Sequence, residues 1–275
     1  MPSRREQKEL RALRQRKARE EEGRFLAEGV RTVEDLLASP LPVRLAVVSS
    51  SLGDTERGRE LRKSLEDRHV PVREVPESEL REYAATETPQ GIVCIADIPR
   101  ARLDSFVPAA SSSAGSTERT ESAGSTEVPL PSTVILVMDA VQDPGNFGTL
   151  VRTAEALGAA GIVALPGTVD PWNPKTVRSA MGSSFRVPVV ENTWETLEPW
   201  LRGRGFAILA ADAGGDALGT DRPARAALVL GNEGAGVSAE TLARADRAVG
   251  IPIRGRAESL NVAAAGAILL YELLR

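Results

Sequence analysis

Between residues 24 and 98 the spacing of apolar positions changes several times. In "FLAEGVRTVEDLLAS" the residues Phe25, Leu26, Val30, Val33, Leu36 and Leu37 stand at near-helical spacing, which predicts a helix. "VRLAVVSS" reads as a strand, "TERGRELRKSLEDRH" as a helix and "VPVREV" as a short strand. A further helix at "ESELREYAAT" and a buried strand at "QGIVCIADI" complete the unit. Alternation of this kind predicts a small α/β domain over residues 24–98.

A second alternating unit runs from residue 133 to 275. Strands are predicted at "VILVMDA", "GIVALP", "FRVPVV", "FAILAAD", "AALVLG" and "AVGIPI". Between them lie helices at "GNFGTLVRTAEALGA", "PKTVRSAMGSS", "WETLEPWLRGR" and "SAETLARA", with a last helix rich in Ala, Gly and Leu ending the chain. Continuous apolar strands separated by helices predict a mostly parallel sheet covered on both faces. Residues 99–132 interrupt the two units with a stretch rich in Ser, Gly, Thr and Glu, in which "SAGSTE" occurs twice, and they read as a disordered linker. Residues 1–23 are charged throughout, and 4–22 predict a helix anchored only by Leu10 and Leu13. That helix is either a solvated face laced with i,i+4 pairs or an arm whose arginines contact phosphates.

Composition narrows the chemistry. The chain of 275 residues is 42% hydrophobic and 26% charged, enough for a sizeable core, and its net charge of -4 does not announce a nucleic-acid binder, although a local patch is what matters. A single Cys (Cys94) and a single His (His69) exclude a disulfide framework, a Cys/His zinc site and a His-centred triad, so no metal is expected. The low Cys count fits reducing cytosol, the charged start is no secretory signal, and the longest apolar run is far short of the ~20 residues of a membrane helix. The expectation is a soluble, cytoplasmic protein with no membrane contact.

Three segments carry candidate chemistry. In "DAVQDPGNFGTLVRTAEALG" a Pro-Gly turn opens a helix that Asn146 can cap, and Arg152 projects about two turns in. In "LVLGNEGAGVS" three glycines surround Asn232 and Glu233 and let backbone approach a ligand at the end of a strand; their order, G-x-x-G-x-G, differs from the dinucleotide fingerprint. In "IPIRGRAESLNVAAA" Ser259 and Asn261 stand at a helix start, where ordinary capping would account for Ser259.

In this order and spacing the three segments resemble the three motifs of the SpoU (TrmH-type) RNA 2'-O-ribose methyltransferases of the SPOUT superfamily. Matching positions run along most of residues 133–275, and "FLAEGVRTVEDLL" with "TETPQGIVCIA" resembles that family's substrate-binding domain. The resemblance implies a C-terminal α/β trefoil-knot domain behind a smaller N-terminal α/β domain. It implies S-adenosylmethionine bent into the knot against Ala211, Asp212, Ala213, Gly231, Ile251, Ile253 and Leu260. It implies catalytic roles for Asn146, Arg152, Glu233, Ser259 and Asn261, with Glu233 positioning Arg152. It further implies an RNA substrate, with ribosomal RNA expected from the two-domain layout, and a homodimer through the C-terminal domain. The run 263–267 fits close backbone approach across that dimer or within one subunit. Two alternatives stand beside this: a transfer-RNA ribose methyltransferase, or a catalytically silent RNA-binding protein, whose mark would be loss of Arg152 or Asn261. Neither residue is lost. An oxidoreductase fails on the glycine order.

Overall fold

A computed structural model of the chain describes residues 1–86, 88–107 and 132–275, so most of the expected linker lies outside the described residues. The N-terminal unit begins with two helices, α1 (Arg4–Ala12) and α2 (Arg16–Glu22). β1 (Arg24–Glu28), α3 (Val30–Ala38), β2 (Val43–Val48), α4 (Glu56–Asp67), β3 (Val72–Glu74), α5 (Glu77–Tyr83) and β4 (Ile92–Asp97) follow. The strands form a sheet in the order β1-β4-β2-β3, antiparallel except for β2 and β3.

Two features differ from the sequence reading. "FLAE" is strand β1, with Phe25 and Ala27 entering the core under α3 and α4 while Leu26 enters the opposite core beneath α1 and α5. A strand buried on both faces has no polar alternation, so its apolar run merges with the helical pattern that follows. The N-terminal helix is broken after Ala12, and both halves dock on the protein. Leu10 and Leu13 are wholly buried, and Arg19, also buried, donates to Asp170 and to the Leu13 carbonyl. Arg11 pairs with Glu82, Arg14 donates to the Glu82 carbonyl, and Arg16 bridges Glu20 and Glu191. Neither a free solvated helix nor a fully available cationic arm describes this segment; Arg4, Arg5, Lys8, Arg14 and Lys17 are exposed without a short ion pair among the described residues, and Arg14 is spent in part on the Glu82 carbonyl.

The C-terminal unit runs β5 (Thr133–Met138), α6 (Pro144–Leu157), β6 (Gly161–Ala164), α7 (Pro174–Ser179), β7 (Val189–Glu191), α8 (Trp194–Arg202), β8 (Ala207–Asp216), β9 (Arg225–Leu230), α9 (Ala239–Arg244), β10 (Arg247–Val249) and α10 (Val262–Leu274). Its six strands are all parallel, in the order β10-β8-β9-β5-β6-β7. β5 feeds both faces: Val134, Leu136 and Met138 pack toward α6 and α10, Ile135 and Val137 toward α8. The strand expected at "FRVPVV" is shorter, because Ser183–Phe185 form a 3-10 turn that places Phe185 on the N-terminal core. There Phe25 also meets Trp172, ring centroids 4.8 Å apart, and Arg178 reaches the buried Glu28 at 2.5 Å. The chain stays ordered past residue 98: Leu103 and Phe106 are buried, and Phe106 meets Trp200 edge-on at 6.3 Å. Residues 99–107 therefore belong to the packed structure, anchored by two apolar side chains that the polar tract beside them obscures.

Candidate active site

The loop after β5 opens α6 with Asp143, whose carboxylate accepts the Asn146 amide at 2.8 Å, and Pro144 fills the first helical position. Asp143, and not Asn146, is the cap; an acidic residue directly before Pro suits that place. Asn146 is thereby released for other contacts. At the other end of the chain Asn261 caps α10, its Oδ1 accepting the amides of Ala263 at 2.9 Å and Ala264 at 3.3 Å. Ser259, two residues earlier, is not the cap and lines a cavity instead.

These two asparagines and Glu233 form a chain of hydrogen bonds whose direction is dictated by its ends. Asn261 Oδ1 is committed to helix amides, so its Nδ2 donates to Asn146 Oδ1 at 3.0 Å. Asn146 then donates through Nδ2 to Glu233 Oε1 at 3.1 Å, and a carboxylate can only accept. Glu233 also takes the backbone amides of Gln142 at 3.2 Å and Asp143 at 3.1 Å. Burial alone would raise the Glu233 carboxyl, but the hydrogen bonds from Asn146 and from backbone amides outweigh it and hold the group below its ordinary value. Glu233 is thus an anion at neutral pH, tying the glycine loop after β9 to the start of α6.

The expected pairing of Glu233 with Arg152 does not occur. Arg152 lies six residues beyond Asn146, about 9 Å along the axis and on another face of α6, and its Nη1 stands 3.0 Å from Met181 Sδ. Met181 and Ala140 both take left-handed backbone conformations, φ 49° and 58°, which non-glycine residues seldom adopt. Ala140 is pinned there by Thr168 Oγ1 on its amide and Asn232 Nδ2 on its carbonyl. Strain held beside candidate catalytic groups is a feature of functional sites.

A cavity of about 260 Å³ opens at the carboxyl ends of β8, β9 and β10. All seven residues expected against the cofactor line it, together with Glu233 and Ser259, whereas Asn146, Arg152 and Asn261 stand outside the lining. Ala211, Asp212 and Ala213, at the end of the strand expected at "FAILAAD" and just past it, lie within β8 itself, which continues to Asp216 and pairs with β10 through an irregularity after Ala248. At Gly231 an added Cβ would sit 2.1 Å from the Gly236 carbonyl carbon, so two stretches of backbone meet there. Leu260 and Ile253, 39% and 36% exposed, are large apolar side chains that face this space uncovered. Apolar walls with backbone polar groups at one end suit an adenosine moiety. The small-residue run of α10 has its close approach within the subunit: a Cβ at Gly266 would lie 2.4 Å from Leu150 and 2.5 Å from Leu230.

The sequence reading missed Asp143 and Asp139. Asp139, buried at the end of β5, accepts from the Ser238 amide at 2.8 Å and from Thr241 Oγ1 at 2.6 Å, anchoring the far side of the glycine loop. Its one signal was a lone carboxylate ending an apolar strand.

Comparison with known proteins agrees with this architecture. Residues 133–271 match the SpoU rRNA Methylase family, and residues 5–94 match the MRM3-like substrate binding domain. The 23S rRNA (guanosine(2553)-2'-O)-methyltransferase RlmP of Bacillus subtilis is 35% identical over 271 residues, covering 97% of this chain and 94% of the relative. The crystal structure of the SpoU methyltransferase AviRb from Streptomyces viridochromogenes, in complex with the cofactor AdoMet, superposes with a TM-score of 0.79 at 27% identity, covering 99% of this chain and 97% of that one. An AdoMet-bound rRNA methyltransferase from Sinorhizobium meliloti gives a TM-score of 0.77 at 31% identity, with 97% and 93% covered. The chain belongs to the SpoU rRNA methylase family.

Proposed function

We propose that this protein transfers a methyl group from S-adenosylmethionine to a ribose 2'-hydroxyl of ribosomal RNA. The observation that carries the reading is the convergence of three segments remote in sequence: Asn146, Glu233 and Asn261 share one hydrogen-bonded chain beside the cavity that Leu260 and Ile253 line. The names of the 23S rRNA relative and of the AdoMet-bound neighbours support it.

The cofactor, when bound, supplies an electrophilic methyl group on a sulfonium. The chain supplies position and charge. Leu260 and Ile253 would cover the adenine, and the backbone around Gly231 would set the depth to which it enters. Asn146 and Asn261, locked in one orientation by Glu233 and the α10 amides, hold the ribose at a fixed angle to the cavity mouth. Ser259 offers a hydroxyl from the wall. Arg152 grips the phosphate beside the target ribose and stabilises negative charge on the 2'-oxygen as the hydroxyl proton passes to solvent; guanidinium stays protonated, so it acts as a cation and hydrogen-bond donor and not as a resting base. The unit at work is a homodimer, supported by Ile268 and Tyr271, which leave α10 with apolar surface 42% and 54% exposed. Its place is the cytoplasm; among the described residues no helix is long and apolar enough to cross a membrane.

The test is methyl transfer from labelled S-adenosylmethionine to ribosomal RNA from cells lacking the gene, followed by mapping of 2'-O-methyl nucleotides. One new ribose mark is expected, and Arg152→Ala should remove it while leaving cofactor binding within about twofold. Methylation of a base, methylation of transfer RNA alone, or full activity in Arg152→Ala would each overturn the assignment.

A further inference from the structure

We propose that the cleft between the two domains is the subsite for the nucleotide that flanks the methylated ribose, with Arg31 and Arg178 as its phosphate ligands and Gln90 as a donor to the nucleotide itself. This rests on the reading above and extends it to residues outside the three motifs.

The cleft, about 220 Å³, is lined by Arg31, Gln90 and Thr88 from the N-terminal domain and by Arg178 and Met181 from the C-terminal one. Met181 connects it to the chemistry, because the same side chain touches Arg152 Nη1. Met181 is held there by tight packing of α7 on α6: a Cβ at Gly148 would lie 2.5 Å from the Ser179 side chain. A phosphate gripped by Arg152 therefore has this cleft as its next neighbour along the protein surface.

Charge favours a polyanion. Three acids on and beside α3 already have partners: Glu34 binds Arg57, Asp35 binds Arg186, and Glu28 binds Arg178 and the Ala85 amide; Asp54, in the neighbouring groove, has no ion pair among the described residues. Among the described residues Arg31 itself is exposed and without an acidic partner. Arg178 spends one nitrogen on Glu28, which is 4% exposed, and its side chain remains 42% exposed. Gln90 is oriented by its own bond: Oε1 accepts the Val30 amide at 3.1 Å, so Nε2 is left to donate outward. The second observation is continuity. A neighbouring groove of about 600 Å³, with Ser51, Thr55, Asp54 and Arg57, shares Arg31 and Gln90 with the cleft. The two make one track leading away from Met181 across the start of α3, suited to a single strand.

The experiment measures methylation of ribosomal RNA from gene-deleted cells by the full chain carrying Arg31→Glu, Gln90→Ala or, as a charge-matched control on the exposed face of α4, Lys63→Glu. Arg31→Glu should raise the KM for RNA at least tenfold with kcat and S-adenosylmethionine affinity unchanged, and should flatten the salt dependence of log KM by roughly 0.7 for one lost phosphate contact on a single strand. Gln90→Ala should raise KM with the salt slope intact. Lys63→Glu should change neither. Unchanged KM in Arg31→Glu, or an equal rise in Lys63→Glu, overturns the subsite while leaving the methyltransferase reading standing. A wild-type protein that methylates no ribosomal RNA would instead overturn the reading itself.

Discussion

Glu233→Gln is the most informative single change at the site, because it alters charge and hydrogen-bond polarity while keeping shape. In the wild type Oε1 accepts from Asp143 N and Asn146 Nδ2, and Oε2 accepts from Gln142 N. A glutamine keeps one acceptor oxygen, so its NH2 must face an amide that also donates. One bond is lost, and two change from charge-assisted to neutral, each step worth about 1 kcal/mol. The side chain is exposed, so water replaces part of the loss, and we expect a net destabilisation of about 1–2 kcal/mol. For a chain of this size that corresponds to a fall in Tm of roughly 2–8 °C. Cofactor affinity, measured by calorimetric titration, should weaken by about three- to tenfold, since the tie between α6 and the glycine loop that walls the cavity is loosened.

The pH dependence separates this account from a general packing defect. Glu233 is depressed below its ordinary value of 4.5, so its contribution is fully present above that value and is lost as pH falls through the lower folded one. The stability gap between wild type and Glu233→Gln, read from urea unfolding, should therefore be open at pH 7 and narrow as the pH falls below 4.5. A gap that stays the same size as the pH falls below 4.5, or none at pH 7, would refute the reasoning.

Other changes test separate parts of the structure. Gly231→Ala, whose Cβ would meet the Gly236 backbone, should abolish detectable S-adenosylmethionine binding in calorimetry, with retained folding read by circular dichroism. Asp170→Asn leaves the buried Arg19 guanidinium without its counter-charge, and urea unfolding should show a loss of about 3–5 kcal/mol in whichever transition includes domain docking. Gly266→Ala forces α10 off Leu150 and Leu230, costing about 1–3 kcal/mol by thermal unfolding.

What the sequence made legible, and what it hid, divides along a physical line. Local signals survived: the alternation of the C-terminal unit, the turn before α6, and the small residues that let α10 approach Leu150. The resemblance also named seven residues for one ligand, and the fold collects all seven around one cavity although they span residues 211–260. Orientation did not survive. The resemblance pairs Arg152 with Glu233, yet six residues of helix turn Arg152 away from Asn146 and toward Met181, and no spacing rule in the sequence states where Met181 will stand. The N-terminal arginines show the same limit, since Asp170, the partner that buries Arg19, lies 151 positions away. A charge run is read as solvent or ligand surface because its partners cannot be seen. Arg31 is the converse case: a single Arg in an amphipathic helix carries no signal, and it becomes a candidate phosphate ligand only when Glu34, Asp35 and Glu28 are found bound to other arginines. At this site, which cations are available to RNA is therefore a property of the fold's ion pairing and not of the net charge of -4.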